Sequence, residues 1–314
     1  MAYIPALNFL QLYQEAVFMT PAATDIEPAG LTAKITPKVE VEQISSLQGT
    51  TMPAKYSFVK RRWADVEISG PLDYNRAMIW LNGMFAVDAA SPFTYLADED
   101  AAQTPVGLTM VLGQTGLIYQ VAGIVPRELG FSCKSGEPWQ FSYKGFGLAA
   151  TDGASLQALT TDVPELVHGY ETSLYIDEDL DSTIGTTPRA DIAFSFDAKI
   201  TANREPVWHM GDQAWDSVRQ GKWGGSYKLV VEADATALDT LGDVLDAANT
   251  GKGMTIRQRA TDGTNTLDLD FAGVCLDPPQ LITELDGVVT IEFDLVPQWN
   301  SDWNSCWGAT LTIA

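Results

Sequence analysis

Apolar residues recur at every second position in run after run of this chain, and that period of two constrains the fold more than any other feature. Ile192, Phe194, Phe196, Ala198 and Ile200 alternate with Ala193, Ser195, Asp197 and Lys199. Successive side chains of an extended strand point to opposite faces, so the pattern predicts a strand with one buried and one wet face. The same alternation appears at Val39/Val41, Val66/Ile68, Trp139/Phe141/Tyr143, Leu267/Leu269/Phe271 and Val289/Ile291/Phe293/Leu295. The residues between them are mostly Asp, Glu, Thr, Gln, Ser or Lys, which implies antiparallel sheet in both halves of the chain.

Two segments carry the helical period instead. Thr236 to Ala248 sets Leu238, Leu241, Leu245 and Ala248 on one stripe and Asp239, Asp243 and Asp246 on the other, with Thr236 and Asp239 as a capping box. The second opens at Gly70–Pro71, a proline suited to the first helical position, and carries Tyr74, Met78, Leu81 and Phe85 at helical spacing. Each follows a short strand directly, Leu229–Val231 and Val66–Ile68 respectively.

The order of features repeats: strand, arm-like loop, strand, helix, strand, hairpin. Leu117-Ile-Tyr-Gln-Val-Ala-Gly-Ile-Val-Pro126 aligns with Leu267-Asp-Leu-Asp-Phe-Ala-Gly-Val-Cys-Leu276 at an offset of 150, superimposing Ala122–Gly123 on Ala272–Gly273. Each copy then passes a proline-containing kink and a turn, Ser135–Gly136 or Asp286–Gly287, into an alternating strand. This ordered series implies a duplication. The expected organisation is an N-terminal segment 1–30, a first domain 31–150, a linker 151–189 poor in periodicity, and a second domain 190–314.

At 314 residues, 46% hydrophobic and 19% charged, the chain has the length and mix for two packed domains. Its net charge of −22 is unevenly spread, with 10 basic and 15 acidic residues in 1–160 against 9 and 26 in 161–314. Such a surface repels phosphate, which excludes tight nucleic-acid binding by counterion release but suits DNA sliding past. Cys133, Cys275 and Cys306 are too few and too far apart for a disulfide framework or a CxxC metal motif, which fits assembly in a reducing cytosol. No basic-then-apolar leader opens the sequence, and no run reaches the roughly 18–20 apolar residues of a membrane helix.

Candidate chemistry is sparse. His168 and His209 have no neighbouring Ser/Asp or Cys/His arrangement for a triad or zinc site. Asp177-Glu178-Asp179-Leu180-Asp181 begins like a calcium loop, but Ser182 stands where glycine is needed and Pro188 where a bidentate glutamate belongs. Asp98-Glu99-Asp100 lacks a second group marking a pocket, and no two carboxylates are set at a working separation for hydrolysis. Gly221-Lys-Trp-Gly-Gly225 precedes a strand, whereas phosphate cradles follow one. Lys60-Arg61-Arg62 before Trp63 is a lone basic cluster, better suited to an acidic surface on a neighbouring subunit than to nucleic acid. Tryptophans cluster at Trp208, Trp215 and Trp223, and at Trp299, Trp303 and Trp307, as core filling or as subunit contacts. The expectation is therefore a non-enzyme with no catalytic residue, cofactor or metal.

In Leu31-Thr-Ala-Lys-Ile-Thr-Pro37, the loop before Trp63 and Ser69-Gly-Pro-Leu72, the chain resembles the tail tube proteins of long-tailed, non-contractile bacteriophages. The second half adds Arg189 to Arg204, Gln220-Gly-Lys-Trp-Gly-Gly225 and Tyr227 to Val231 to that likeness. The resemblance implies a mainly β chain of two tandem tail-tube-like β-sandwich or barrel domains, each flanked by one α-helix. It also implies sheets joined edge to edge into rings, and stacked rings forming a DNA conduit. A duplicated chain would close the six-domain ring as a trimer. Partners would then be further copies of itself, tape measure protein and DNA in the lumen, and terminator and distal tail proteins at the ends. The protein would assemble in the host cytoplasm and reside in the virion tail, without membrane insertion. The loops Gln43 to Lys60 and Arg204 to Lys222 match the family's long arm. Gln48, Met52, Tyr56, Lys60, Arg61, Arg62, Trp208, Trp215, Arg219 and Lys222 are the candidate inter-ring contacts. The competing expectation is a tandem β-sandwich binding module for carbohydrate or adhesion.

Overall fold

Wherever alternation is strong, strands form. A computed structural model describes residues 9–21, 26–44, 56–87, 92–97, 106–114, 116–159, 163–177, 184–185, 189, 193–233, 246, 250, 253–277, 280–285, 287–302 and 304–313. In chain order these give β1 (Phe9–Gln14), β2 (Thr32–Ile44), β3 (Tyr56–Pro71), α1 (Tyr74–Met84), β4 (Ala86–Val87), β5 (Phe93–Leu96), β6 (Leu108–Gln114), β7 (Leu117–Lys134), β8 (Gln140–Gly147) and β9 (Thr151–Asp152). Then follow β10 (Thr172–Asp177), β11 (Ala193–Thr201), β12 (Glu205–Val207), β13 (Ser217–Arg219), β14 (Gly224–Glu232), β15 (Met254–Thr261), β16 (Thr266–Cys275), β17 (Gln280–Leu285), β18 (Val288–Pro297) and β19 (Trp307–Thr312). The chain is mainly β, and every strand pairing is antiparallel.

One set of pairings occurs twice. In the first half β2 pairs β3, β3 pairs β8, β8 pairs the end of β7, the start of β7 pairs β6, and β6 pairs β1. In the second half β11 pairs β14, β14 pairs β18, β18 pairs β17, β16 pairs β15, and β15 pairs β10. The strand that changes sheets does so at the repeated Ala–Gly: β7 leaves β6 at Ile124 and joins β8 at Val125, and β16 meets both β15 and β18 at Gly273. Gly123 has a φ of 63°, a left-handed conformation that glycine adopts without steric penalty. The same cross-strand bond follows in both halves, Leu148 N–H donating to Ala122 O and Gln298 N–H to Ala272 O, each at 2.9 Å.

The halves join through β7 and β11, where Glu128 to Lys134 run opposite Thr201 to Ser195. The result is one eight-stranded sheet in the order β2-β3-β8-β7-β11-β14-β18-β17. Beside it stand β1-β6-β7-β9 and β10-β15-β16-β19-β5-β4. The latter takes β4 and β5 from the first half of the sequence, so the halves interlock. A single apolar core runs through both, and the ring of Trp139 meets that of Phe196 across the β7–β11 seam at 4.7 Å.

Helix α1 lies on the core face, its Trp80 stacked 4.6 Å from Phe141. It starts later than the proline suggested. Pro71 ends β3, and the Asp73 carboxylate caps the helix by accepting from Asn75 N–H at 2.8 Å. Asp73 also accepts from Glu165 N–H, and burial pushes its carboxyl above the usual range despite nearby Arg76. The expected helix at Thr236 to Ala248 lies outside the described residues except for Asp246, which is helical. Residues 151–189, read as a linker, contribute β9 and β10 and bridge Asp73 and Pro138 through Leu166 and His168.

Alternation misled in several places: Val39 and Val41 of β2 alternate like core residues, yet both are exposed. Leu267, Leu269 and Phe271 enter the core as expected, yet Asp268 and Asp270 on the other face of β16 are also buried. They are covered by arginines from β15: Arg257 forks onto Asp270 at 2.6 and 2.8 Å, and Arg259 onto Asp268 at 2.7 Å twice. At the far end of β18, Val289 is 46% exposed because it lies beyond the core that holds Ile291, Phe293 and Leu295.

Candidate assembly surfaces

Strand edges are the first surface. Among the described residues β2 pairs only with β3, and β17 only with β18, so the eight-stranded sheet ends on two open edges. β2 holds the place in its half that β11 holds in the other, and β17 corresponds to the end of β7. The two open edges are therefore counterparts of the two edges already joined at the seam.

That seam is reinforced on its polar face. Glu128 on β7 sits between Lys199 on β11 and Lys144 on β8, each ammonium 2.7 Å from a carboxylate oxygen. Burial raises the Glu128 pKa, but the two lysines outweigh it and hold the carboxyl below its ordinary value. On β2, Lys34 and Lys38 reach back to Glu67 and Asp65 at 3.9 and 3.6 Å, longer pairs whose carboxylates are more exposed than Glu128.

The second surface is the pair of arms. β12 and β13 form a hairpin that folds back from the second half over the polar face of the first. Trp215 is its anchor, buried on Val125 and Phe146 and donating its indole N–H to Gly147 O at 3.0 Å. Trp208 meets Trp63 edge-on at 5.8 Å, and the guanidinium of Arg61 lies 4.5 Å above the Trp208 ring. Arg62 N–H donates to Gln213 O, and Gln213 donates its amide to Val59 O. The structure thus gathers Arg61, Arg62, Trp208 and Trp215 into one contact within the chain.

The remaining candidates are more dispersed. Lys60 bridges Glu40 and Glu42 of its own hairpin at 3.5 Å, Arg219 pairs with Glu205 at 2.6 Å, and Tyr56 is 66% exposed. Lys222 is exposed, its carbonyl accepting from Asn203. Gln48 and Met52 lie outside the described residues, as do Asp98 to Asp100 and Glu178 to Asp181. Asp177 is buried and accepts from Gly185 N–H at 2.9 Å. His209 pairs with Asp216 at 2.6 Å on the exposed arm. Among the described residues no three His, Cys, Asp or Glu side chains gather as a metal site, and no helix is long and apolar enough to cross a membrane.

Residue-type reasoning missed Arg204. It is fully buried, donating to Gly83 O at 2.6 Å and Met84 O at 2.7 Å, and so caps the last turn of α1 from the other half of the chain. A lone arginine beside Asn203 carries no local signal of that role. No protein-family model and no curated protein matches this sequence.

Proposed function

We propose that this chain is a structural subunit of a viral tail tube, polymerising through its sheet edges into stacked rings of three chains. The observation that carries the reading is the β7–β11 seam. One edge of the first half already pairs with the opposite edge of the second, leaving β17 and β2 as the same two edges, unpaired among the described residues. Open edges pair with other chains unless they are covered. A head-to-tail contact of this kind, repeated, closes a ring if its rotation allows. In such a ring each chain contributes two duplicated tube domains, six per ring, around a polar wall. Further copies of the chain, DNA and tape measure protein in the lumen, and terminator and distal proteins at the ends are the partners. The net charge of −22 suits a conduit along which DNA slides.

The test is electron microscopy and mass measurement of the purified protein at increasing concentration. Rings or tubes with a central pore of a few nanometres, built from multiples of three chains, are expected. A protein that stays monomeric at every concentration refutes the reading.

A further inference from the structure

The 205–219 arm docks on a built patch of the first half, and among the described residues no arm of the same chain lies on the counterpart of that patch in the second half. In the first half Val125 and Phe146 are cross-strand partners, both fully buried, with Trp215 over them. In the second half Val296 holds the place of Phe146, two residues before the matching bond at Gln298, and its cross-strand partner is Val274, one position earlier in β16 than the residue aligned with Val125. The adjoining Cys275 and Leu295 point into the core, so Val274 and Val296 point to the other face. There they are only half-buried, and Leu276 beside them is 71% exposed.

The other arm is the outer end of the β2–β3 hairpin. It leaves Val39, Val41, Tyr56 and Phe58 at 54%, 50%, 66% and 47% exposure, and carries exposed Arg62 beside Lys60 and Arg61, which also pair with Glu40 and Glu42 of the same hairpin. The patch on the second half is flanked by exposed Asp277 and Asp294. Apolar surface would meet apolar surface, and basic residues would meet acidic ones.

We propose that this patch receives the outer β2–β3 hairpin of a second copy of the chain. The inference rests on the ring reading and deepens it. Where β7 meets β11, the arm preceding β14 reaches back over the half that supplied β7. Where β17 of one copy meets β2 of the next, the arm preceding β3 reaches back in the same way over the half that supplied β17. Each subunit is then held to its neighbour by an edge and by an arm.

The test places cysteines at Phe58→Cys and Leu276→Cys, two exposed positions, while native Cys133, Cys275 and Cys306 are buried. A short bis-maleimide is expected to link the double variant into covalent dimers and trimers and to leave either single variant unlinked. As a second measurement, Leu276→Lys sets a like charge against the arm. It is expected to raise the concentration for half-assembly about tenfold, as loss of an interface anchor does. Rings that form normally with neither linkage nor a shifted midpoint overturn the arm contact and leave the ring standing. A wild-type protein that never assembles overturns both.

Discussion

Replacing Arg204 by methionine tests whether the two halves fold as one body. Its guanidinium is buried with no carboxylate partner among the described residues, and the C-terminal carbonyls of α1, Gly83 O and Met84 O, accept from it. Burial lowers its pKa to about 10, so it remains charged at neutral pH. Methionine keeps most of the apolar stem but removes two charge-assisted hydrogen bonds of ~1.5–3 kcal/mol each. The two carbonyls are then left without these donors, while relief of a buried charge returns several kcal/mol. The balance is a loss of about 3 kcal/mol. Unfolding entropy of about 2.1 cal/mol/K per residue makes that roughly 4–5 °C in Tm if the whole chain melts together, and about twice as much if one half melts alone. Differential scanning calorimetry reads both the shift and the number of transitions. Arg204→Lys, which keeps the charge but not the fork, should fall between. A Tm within 1 °C of wild type for Arg204→Met would refute the capping role.

Trp215→Ala should cost about 3–5 kcal/mol, because it empties a buried site and strands Gly147 O, and proteolysis within 205–219 should accelerate. An unchanged digestion rate would count against the anchor. Gly225→Ala should fail to fold or lose several kcal/mol, since Gly225 has a φ of 135° and a Cβ there would overlap Lys199 O at 1.8 Å. Denaturant midpoints would detect it. Glu128→Gln should lose stability only where the carboxylate is charged. Because the folded pKa lies below the ordinary glutamate value of 4.5, the wild-type advantage is full above that pH and disappears as pH falls through the folded value. Urea titrations from pH 3 to 7 would show an advantage persisting at pH 3 if the reasoning is wrong.

Strand positions were legible because a period of two is a local property. Phe196, Ala198 and Ile200 are buried while Asp197 and Lys199 are exposed, as their alternation requires. The Ala–Gly match was legible for a related reason: a strand that changes sheets needs a small residue and a permissive backbone at the crossing, wherever it occurs. What alternation cannot register is a second layer. Asp268 and Asp270 are polar because arginines meet them, and the sequence around them is that of a wet face. Trp215 is expected from the sequence as an inter-ring contact, whereas within this chain it is buried against Phe146, 69 residues earlier. Long-range partners of this kind are set by topology, which no window along the chain contains.

The seam also bears on why the two halves should differ in the proposed ring. Identical halves would present identical edges, and a ring of them could start at any half and join in any order. Here the inner seam is fixed by covalent proximity and by Lys199–Glu128–Lys144, whereas β2 offers Lys34 and Lys38 in longer pairs with more exposed carboxylates. A tight ladder suits a contact formed once, on folding. Loosely paired lysines suit one formed by encounter, where complementary charge speeds association and screening by salt weakens it. Raising ionic strength should therefore slow assembly between chains while leaving the melting of the single chain almost unchanged. An equal response of both to salt would mean that the two seams are electrostatically alike.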